Sequence, residues 1–295
     1  VKSWGGATAF NPNALKLAKK SAVSNENRLP LNPNPRVDAL SVAAGRGGST
    51  SPTALCSTAS SSDDLDTDAL SKYALAAVTQ MSLFAGTFKL LDVGIASAGI
   101  DPAAIPFPAV AFLFYAIALK SRIFNPLNNQ RPDRAKAMEG EGSGGFGDRV
   151  MPSWTPPGVV FPIMWLLIIG PIRAYSSGLV FQETGTFFNP ALLSLMLHLT
   201  CGDVWNTINN TEKRYGASVV GVMCVVASVA FASKQYYEVL PFAGELLGAT
   251  AIWLCTATAL ITDTWRLNPR QSGELEPLYP VVGEANTEFA WFSSK

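Results

Sequence analysis

The sequence predicts an all-α integral membrane protein: a five-helix bundle with one extra helix on its N-terminal side. Three observations lead there. Charged residues fill only 15% of the 295 positions, against roughly a quarter in a soluble domain. The apolar residues, 48% of the chain, gather after residue 70 into long runs parted by short polar breaks, and mean hydropathy is +0.21. The basic residues between those runs fall almost entirely on one side of them.

Taken in order, residues 1–70 are a different material, rich in Ser, Ala, Asn and Pro. Up to residue 60 their only acids are Glu26 and Asp38, set against seven Lys or Arg. A basic, Ser-rich, acid-poor segment reads as an organelle transit region, and a plain disordered tail has the same composition. The first residue, Val1 rather than Met, fits removal of a leader or a truncated sequence. The expectation is a segment without regular structure, lying against another protein on the basic side.

Residues 71–99 read as the extra helix. It is long enough to span but carries Lys89 and Asp92, so spanning and lying along the interface both stay open. The membrane domain covers 103–269. A first apolar run ends at Lys120 and Arg122 and leads into a long loop, 122–157, with Gly-rich "GEGSGGFG" inside it. Runs at 159–181, 190–208, 216–233 and 240–262 follow, each close to the roughly 20 residues that cross a hydrocarbon core. Residues 270–295 form a C-terminal tail.

Under this count Lys120, Arg122, Arg131, Arg134, Lys136, Arg149, Lys213, Arg214, Arg266 and Arg270 share one side. The other side has little beyond Lys234, with Arg173 inside a run. Such asymmetry turns the basic side toward cytosol, stroma or matrix. A net charge of +0 leaves no basic face for nucleic acid, so the expected partners are membrane lipid, a hydrophobic small ligand and membrane proteins.

Few residues could carry reaction chemistry. Cys56, Cys201, Cys224 and Cys255 show no CxxC spacing, and three lie in apolar runs where Cys acts as a small hydrophobe. With one histidine, no Gly-x-Ser-x-Gly and no phosphate loop, a conventional hydrolase or nucleotidase has no parts, and no catalytic residue is assigned. Binding is better supplied. The stretch "MPSWTPPGVVFPIMWLLIIGPIRAY" opens an apolar span with a knot of Trp154, Pro156 and Pro157 that no helix interior accepts. An interfacial belt accounts for Trp154 and Trp265 at span ends, but not for Trp165, Trp205 and Trp253, each inside a run on a different helix. Three such rings converging on one depth form a flat aromatic slot. His198 sits mid-span, where a hydrogen bond to a neighbouring helix and an axial bond to a haem or chlorophyll metal are the two readings. Asp203 and Glu245 are expected to pair with Arg173 or with backbone.

These residues resemble the TspO/MBR family of tryptophan-rich translocator proteins, from about Pro102 to Asn268. The family's first-loop Pro-x-Trp-x-Pro-Pro, with Trp eight residues after the last Pro, is matched by Pro152, Trp154, Pro156, Pro157 and Trp165. Its third-helix Trp falls on Trp205. Its fifth-helix pattern falls on Leu246, Leu247, Trp253, Ala257, Trp265, Arg266 and Asn268. The resemblance implies a five-helix bundle whose upper half encloses a pocket for tetrapyrroles, sterols and synthetic ligands, lidded by the first loop. Ligand-binding roles then go to Trp154, Pro156, Pro157, Trp165, His198, Trp205, Trp253 and Ala257, with haem, porphyrin, chlorophyll or carotenoid as the ligand. Departures are plain too. The basic residue before the signature is Met151, the third-helix Gln and Asn are His198 and Gly202, the fifth-helix Asn is Ile261, and a family Pro is Ala249.

The expectation is a TspO-like receptor of an organelle membrane, plastid (thylakoid or envelope) or alternatively mitochondrial. One rival is a structural subunit of a photosystem or antenna assembly that keeps this fold. A weaker one is a porphyrin-degrading enzyme using Trp165 and Trp253.

Overall fold

Helix α1 runs Thr67–Ser97 in a computed structural model that describes residues 63–129 and 149–291. Asp66 fixes its start, because its carboxylate accepts the Ala69 N–H at 2.9 Å and satisfies an orphan donor of the first turn. Residues 67–70 are therefore helical, a correction to the expected unstructured stretch up to residue 70. The expectations for residues 1–62, and for the Gly-rich centre of the long loop, lie outside the described residues.

One stripe of α1 is buried: Ala69, Tyr73, Ala76, Gln80, Phe84 and Phe88, at the three- and four-residue spacing of a single helix face. Phe84 packs on Phe124 with ring centroids 5.0 Å apart, and Phe88 meets Phe114 and Phe187. Both ends are tied down. Near the start the Tyr73 hydroxyl donates to the Glu212 carboxylate. Near the finish Asp92 accepts from the Thr186 hydroxyl and from the N–H groups of Phe187 and Phe188, each of the latter at 2.8 Å. Asp92 thus satisfies backbone donors of a turn, while the Lys89 ammonium lies over the Phe188 ring.

The remaining helices are α2 (Phe107–Lys120, extended by a 3-10 turn Ser121–Phe124), α3 (Val160–Thr184), α4 (Pro190–Asn206, extended by a π turn Thr207–Thr211), α5 (Tyr215–Val239) and α6 (Pro241–Leu267). Proline marks the first turn of α2, α4 and α6, where its missing N–H costs nothing. Asn189 caps α4 by accepting the Leu192 N–H at 2.9 Å. Between α5 and α6 only Leu240 intervenes, and a Cβ on Gly244 would stand 2.5 Å from the Tyr237 backbone, so the hairpin closes on glycine.

Among the described residues, five helices are long and apolar enough to cross a membrane: α1, α2 with its 3-10 extension, α3, α5 and α6. This set differs from the sequence count, which includes 190–208 and leaves 71–99 open. The regular part of α4 stops at 17 residues, where the π turn begins, while α1 is apolar over most of its 31. The described residues form a six-helix bundle, the predicted five with one added.

The charge asymmetry is visible at the end of the bundle that holds the start of α1. Arg214 reaches the Asp66 carboxylate at 2.8 Å, and Arg270 reaches Asp63 at 2.5 Å. The tail after α6 lies over the same end, bridging Leu65 to Val281 and Leu127 to Phe289. Arg214 also donates to the Ala285 carbonyl at 2.8 Å, so one buried guanidinium joins α1, the α4–α5 turn and the tail.

Candidate functional site

The proline knot is a turn pinned to the far end of α6. Both the N–H and the hydroxyl of Thr155 donate to the Pro152 carbonyl, at 3.0 and 2.6 Å, which swings Trp154 outward. The Trp154 indole N–H then donates to Asp263 at 2.9 Å. Pro156 and Pro157 lie in open coil, since neither can supply the N–H a helix needs. Helical geometry starts immediately after them, with the Val160 N–H on the Pro157 carbonyl at 2.8 Å. A second tie comes from Asn268, which brackets the backbone of Val150.

Within α3 the segment Met164–Ile169 widens into a π turn, a form that recurs at functional positions. Its cause is written in the chain. Pro171 has no N–H to return to the preceding turn, and the Leu166 carbonyl it leaves open is taken by the Tyr115 hydroxyl of α2 at 2.8 Å. Gly170 makes the approach feasible, for a Cβ there would lie 2.9 Å from both the Trp165 carbonyl and the Tyr115 ring. The turn carries Trp165, whose ring faces the Arg173 guanidinium 5.3 Å away.

Arg173 is buried and bonded to His198 of α4. A guanidinium only donates, so His198 Nε2 accepts. The imidazole proton then sits on Nδ1, 3.0 Å from the Ser228 hydroxyl of α5, which itself donates to the Val225 carbonyl at 2.8 Å. His198 therefore joins α3, α4 and α5, with both ring nitrogens engaged. For Asp203 the expected partners are Arg173 or backbone, and the structure adds a third. Asp203 accepts from the Gln80 side chain of α1 at 2.8 Å, because the extra helix brings a donor to that face of α4.

The other ring positions divide. Trp253 on α6 meets Phe161 at the head of α3, with centroids 5.9 Å apart and planes at 63°. Ala257, one turn on, is half-buried. Trp205 turns toward α5 instead. Its indole N–H donates to Ser218, and its ring lies over Gly221, where a Cβ would come within 2.9 Å. Trp165 and His198 thus meet through Arg173, and Trp154 and Trp253 share α6. Trp205 packs beside the small cluster of Val219, Val222 and Ile261.

Sequence reasoning gave no role to Tyr115, Gly170 or Asp263, and placed Asn268 only as the end of a motif. Pro171 inside an apolar run is the signal that announces a disturbed helix. Nothing local marks Asp263 as the acceptor for Trp154. Among the described residues, no three His, Cys, Asp or Glu side chains cluster to hold a metal ion.

A helical membrane bundle with a tryptophan-bearing loop tied to its last helix is the class these features define. Residues 139–266 match the model of the TspO/MBR family, a stretch that takes in α3 and runs to the last turn of α6. The match opens inside the long loop, and both α1 and α2 precede it. Among curated relatives, the chain is similar to Protein CrtK of Rhodobacter capsulatus, 27% identical over 121 residues, which are 40% of this chain and 74% of that protein. It is likewise similar to the tryptophan-rich sensory protein of Cereibacter sphaeroides, 27% identical over 117 residues, 40% of this chain and 72% of that one.

Proposed function

We propose that this TspO-like membrane protein binds a flat hydrophobic ligand of the tetrapyrrole class (a porphyrin, haem or chlorophyll) between the Trp154 loop, α3 and α6. The observation that carries the reading is a pair of links between the same elements. Trp154 is tied to Asp263, and Trp253, ten residues earlier on that helix, meets Phe161 of α3. Aromatic rings thus mark both the lid and the wall of one corner. In this reading Trp165, Trp253 and Ala257 form the wall, Pro156 and Pro157 hold the lid turn rigid, and Trp205 and His198 bound the α4 side. Flat conjugated ligands suit such a site because stacked rings gain both burial and quadrupole complementarity. Carotenoid is the further candidate on the same grounds. An absorption spectrum of the full chain purified from its native membrane tests this: porphyrin-type or carotenoid bands support it, and a featureless visible spectrum on a protein that also fails to take up porphyrin contradicts it.

One observation favours a second reading, a subunit of a larger pigment-bearing assembly in a plastid membrane. Helix α1 lies outside the family match, yet it presents Leu75, Val78, Leu90 and Val93 on its outer face. Co-migration with chlorophyll proteins on native gels supports that role, and a discrete small oligomer supports the receptor.

A further inference from the structure

Arg173 is an anomaly that the aromatic site does not use. It lies near the middle of α3, a candidate membrane span, and is 5% exposed. Charge at that depth is costly and persists only where something compensates it. Among the described residues no carboxylate stands within ion-pair distance of it. Asp203 acts on it through space and is itself engaged by Gln80. Among the described residues the guanidinium has one hydrogen-bond partner, the imidazole of His198, a neutral acceptor. The Nε–H donates to nothing. A guanidinium placed for structure alone directs its donors at carbonyls or carboxylates, as Arg214 does with Asp66, Val281 and Ala285.

Two neighbours turn the anomaly toward a ligand. The Trp165 ring lies against the guanidinium, so the cation borders the proposed aromatic wall. Gly202 shares the helix face of His198, one turn on, and a Cβ there would meet nothing within 4 Å, so that face of α4 is open at this point. A planar donor fork with one unpaired edge, held by a ring on one side, fits a carboxylate better than any other common group.

We propose that Arg173 is the anchor for a carboxylate arm on the ligand of this site, so that the protein selects flat apolar molecules bearing a carboxylate over their neutral counterparts. The proposal rests on the tetrapyrrole-class reading above and narrows it. Oriented by His198 and Trp165, the guanidinium offers its Nε–H and an Nη–H to the two carboxylate oxygens, and the incoming anion neutralises the charge that the bundle leaves unpaired.

The test is a fluorescence-quenching titration of the detergent-purified full chain with protoporphyrin IX and, separately, with its dimethyl ester, which keeps the ring and removes both acids. The expected result is at least about tenfold tighter binding of the acid, equivalent to about 1.4 kcal/mol. Arg173→Gln should bring the two affinities together, and Arg173→Lys, keeping charge without the fork, should give an intermediate preference. Equal binding of acid and ester by the natural chain overturns the anchor and leaves the aromatic pocket standing, as does a preference that survives Arg173→Gln. Binding of neither probe overturns the pocket reading and the anchor together. The comparison on the natural chain decides the matter even where a variant fails to fold.

Discussion

Asn268 and Val150 are joined by a reciprocal pair of hydrogen bonds: the Val150 N–H donates to the Asn268 side-chain oxygen at 2.8 Å, and the Asn268 side-chain amide donates to the Val150 carbonyl at 2.8 Å. One carboxamide thereby mimics the edge of a strand and holds the start of the tryptophan loop to the end of α6. The same amide also donates to the Thr264 carbonyl at 2.6 Å, closing the last helical turn.

Substituting Asn268→Ala removes the bracket but leaves the Trp154–Asp263 bond. At about 1 kcal/mol net for each of its three hydrogen bonds, the expected cost is about 2–3 kcal/mol. It should appear as faster protease cleavage near residues 149–158 with α6 intact. Cleavage no faster than in the natural chain would show that the loop is held by other means.

Gly170→Ala tests the π turn. The new methyl must displace the Trp165 carbonyl or the Tyr115 ring, each 2.9 Å away, and overpacking of this kind costs about 1–3 kcal/mol. Tyr115→Phe keeps the packing but strands the Leu166 carbonyl. Thermal melts in detergent should rank Gly170→Ala below Tyr115→Phe, and both below the natural chain. A neutral Gly170→Ala would mean that the helices separate there without penalty.

His198→Gln and His198→Leu should behave differently. Glutamine can still accept from Arg173, whereas leucine strands a buried guanidinium and adds about 2 kcal/mol or more of destabilisation. Equal melting temperatures for the two variants would contradict the role of His198 as the acceptor for Arg173.

The buried Arg214 beside the start of α1 gives a pH prediction. Burial pushes the Asp66 carboxyl up, but the Ala69 N–H and the Arg214 guanidinium outweigh it and hold the group below its usual range. A depressed folded-state value stabilises the protein above the unfolded carboxylate value of about 3.9, and that share is lost as pH falls through the lower, folded one. Asp66→Asn should therefore lower stability at neutral pH and flatten its decline below pH of about 4. A decline unchanged in shape would show that other carboxylates govern acid unfolding.

Much of this was legible in the chain. Runs of apolar residues gave most of the helices, since these follow from local composition. The role of Asp92 was hidden, because a carboxylate in an apolar helix reads as a blemish until the three donors of the α3–α4 turn are seen around it. The pairing of Asp203 with Gln80 was likewise hidden, for it joins residues 123 apart on helices whose adjacency no local pattern encodes. Motif spacing located Trp154, Trp165, Trp205 and Trp253. Their directions depend on a π turn at Trp165 and on the glycine that lets Trp205 lean onto α5.

The most direct measurement for the central claim is a protoporphyrin IX titration of the purified chain beside Trp165→Leu, Trp253→Leu and, as a control on the tail, Trp291→Phe. The account predicts saturable binding at one site per chain, weakened more than about tenfold by each of the first two substitutions and unchanged by the third. Non-saturating uptake, or equal affinity in all four proteins, would contradict an aromatic pocket between the loop, α3 and α6.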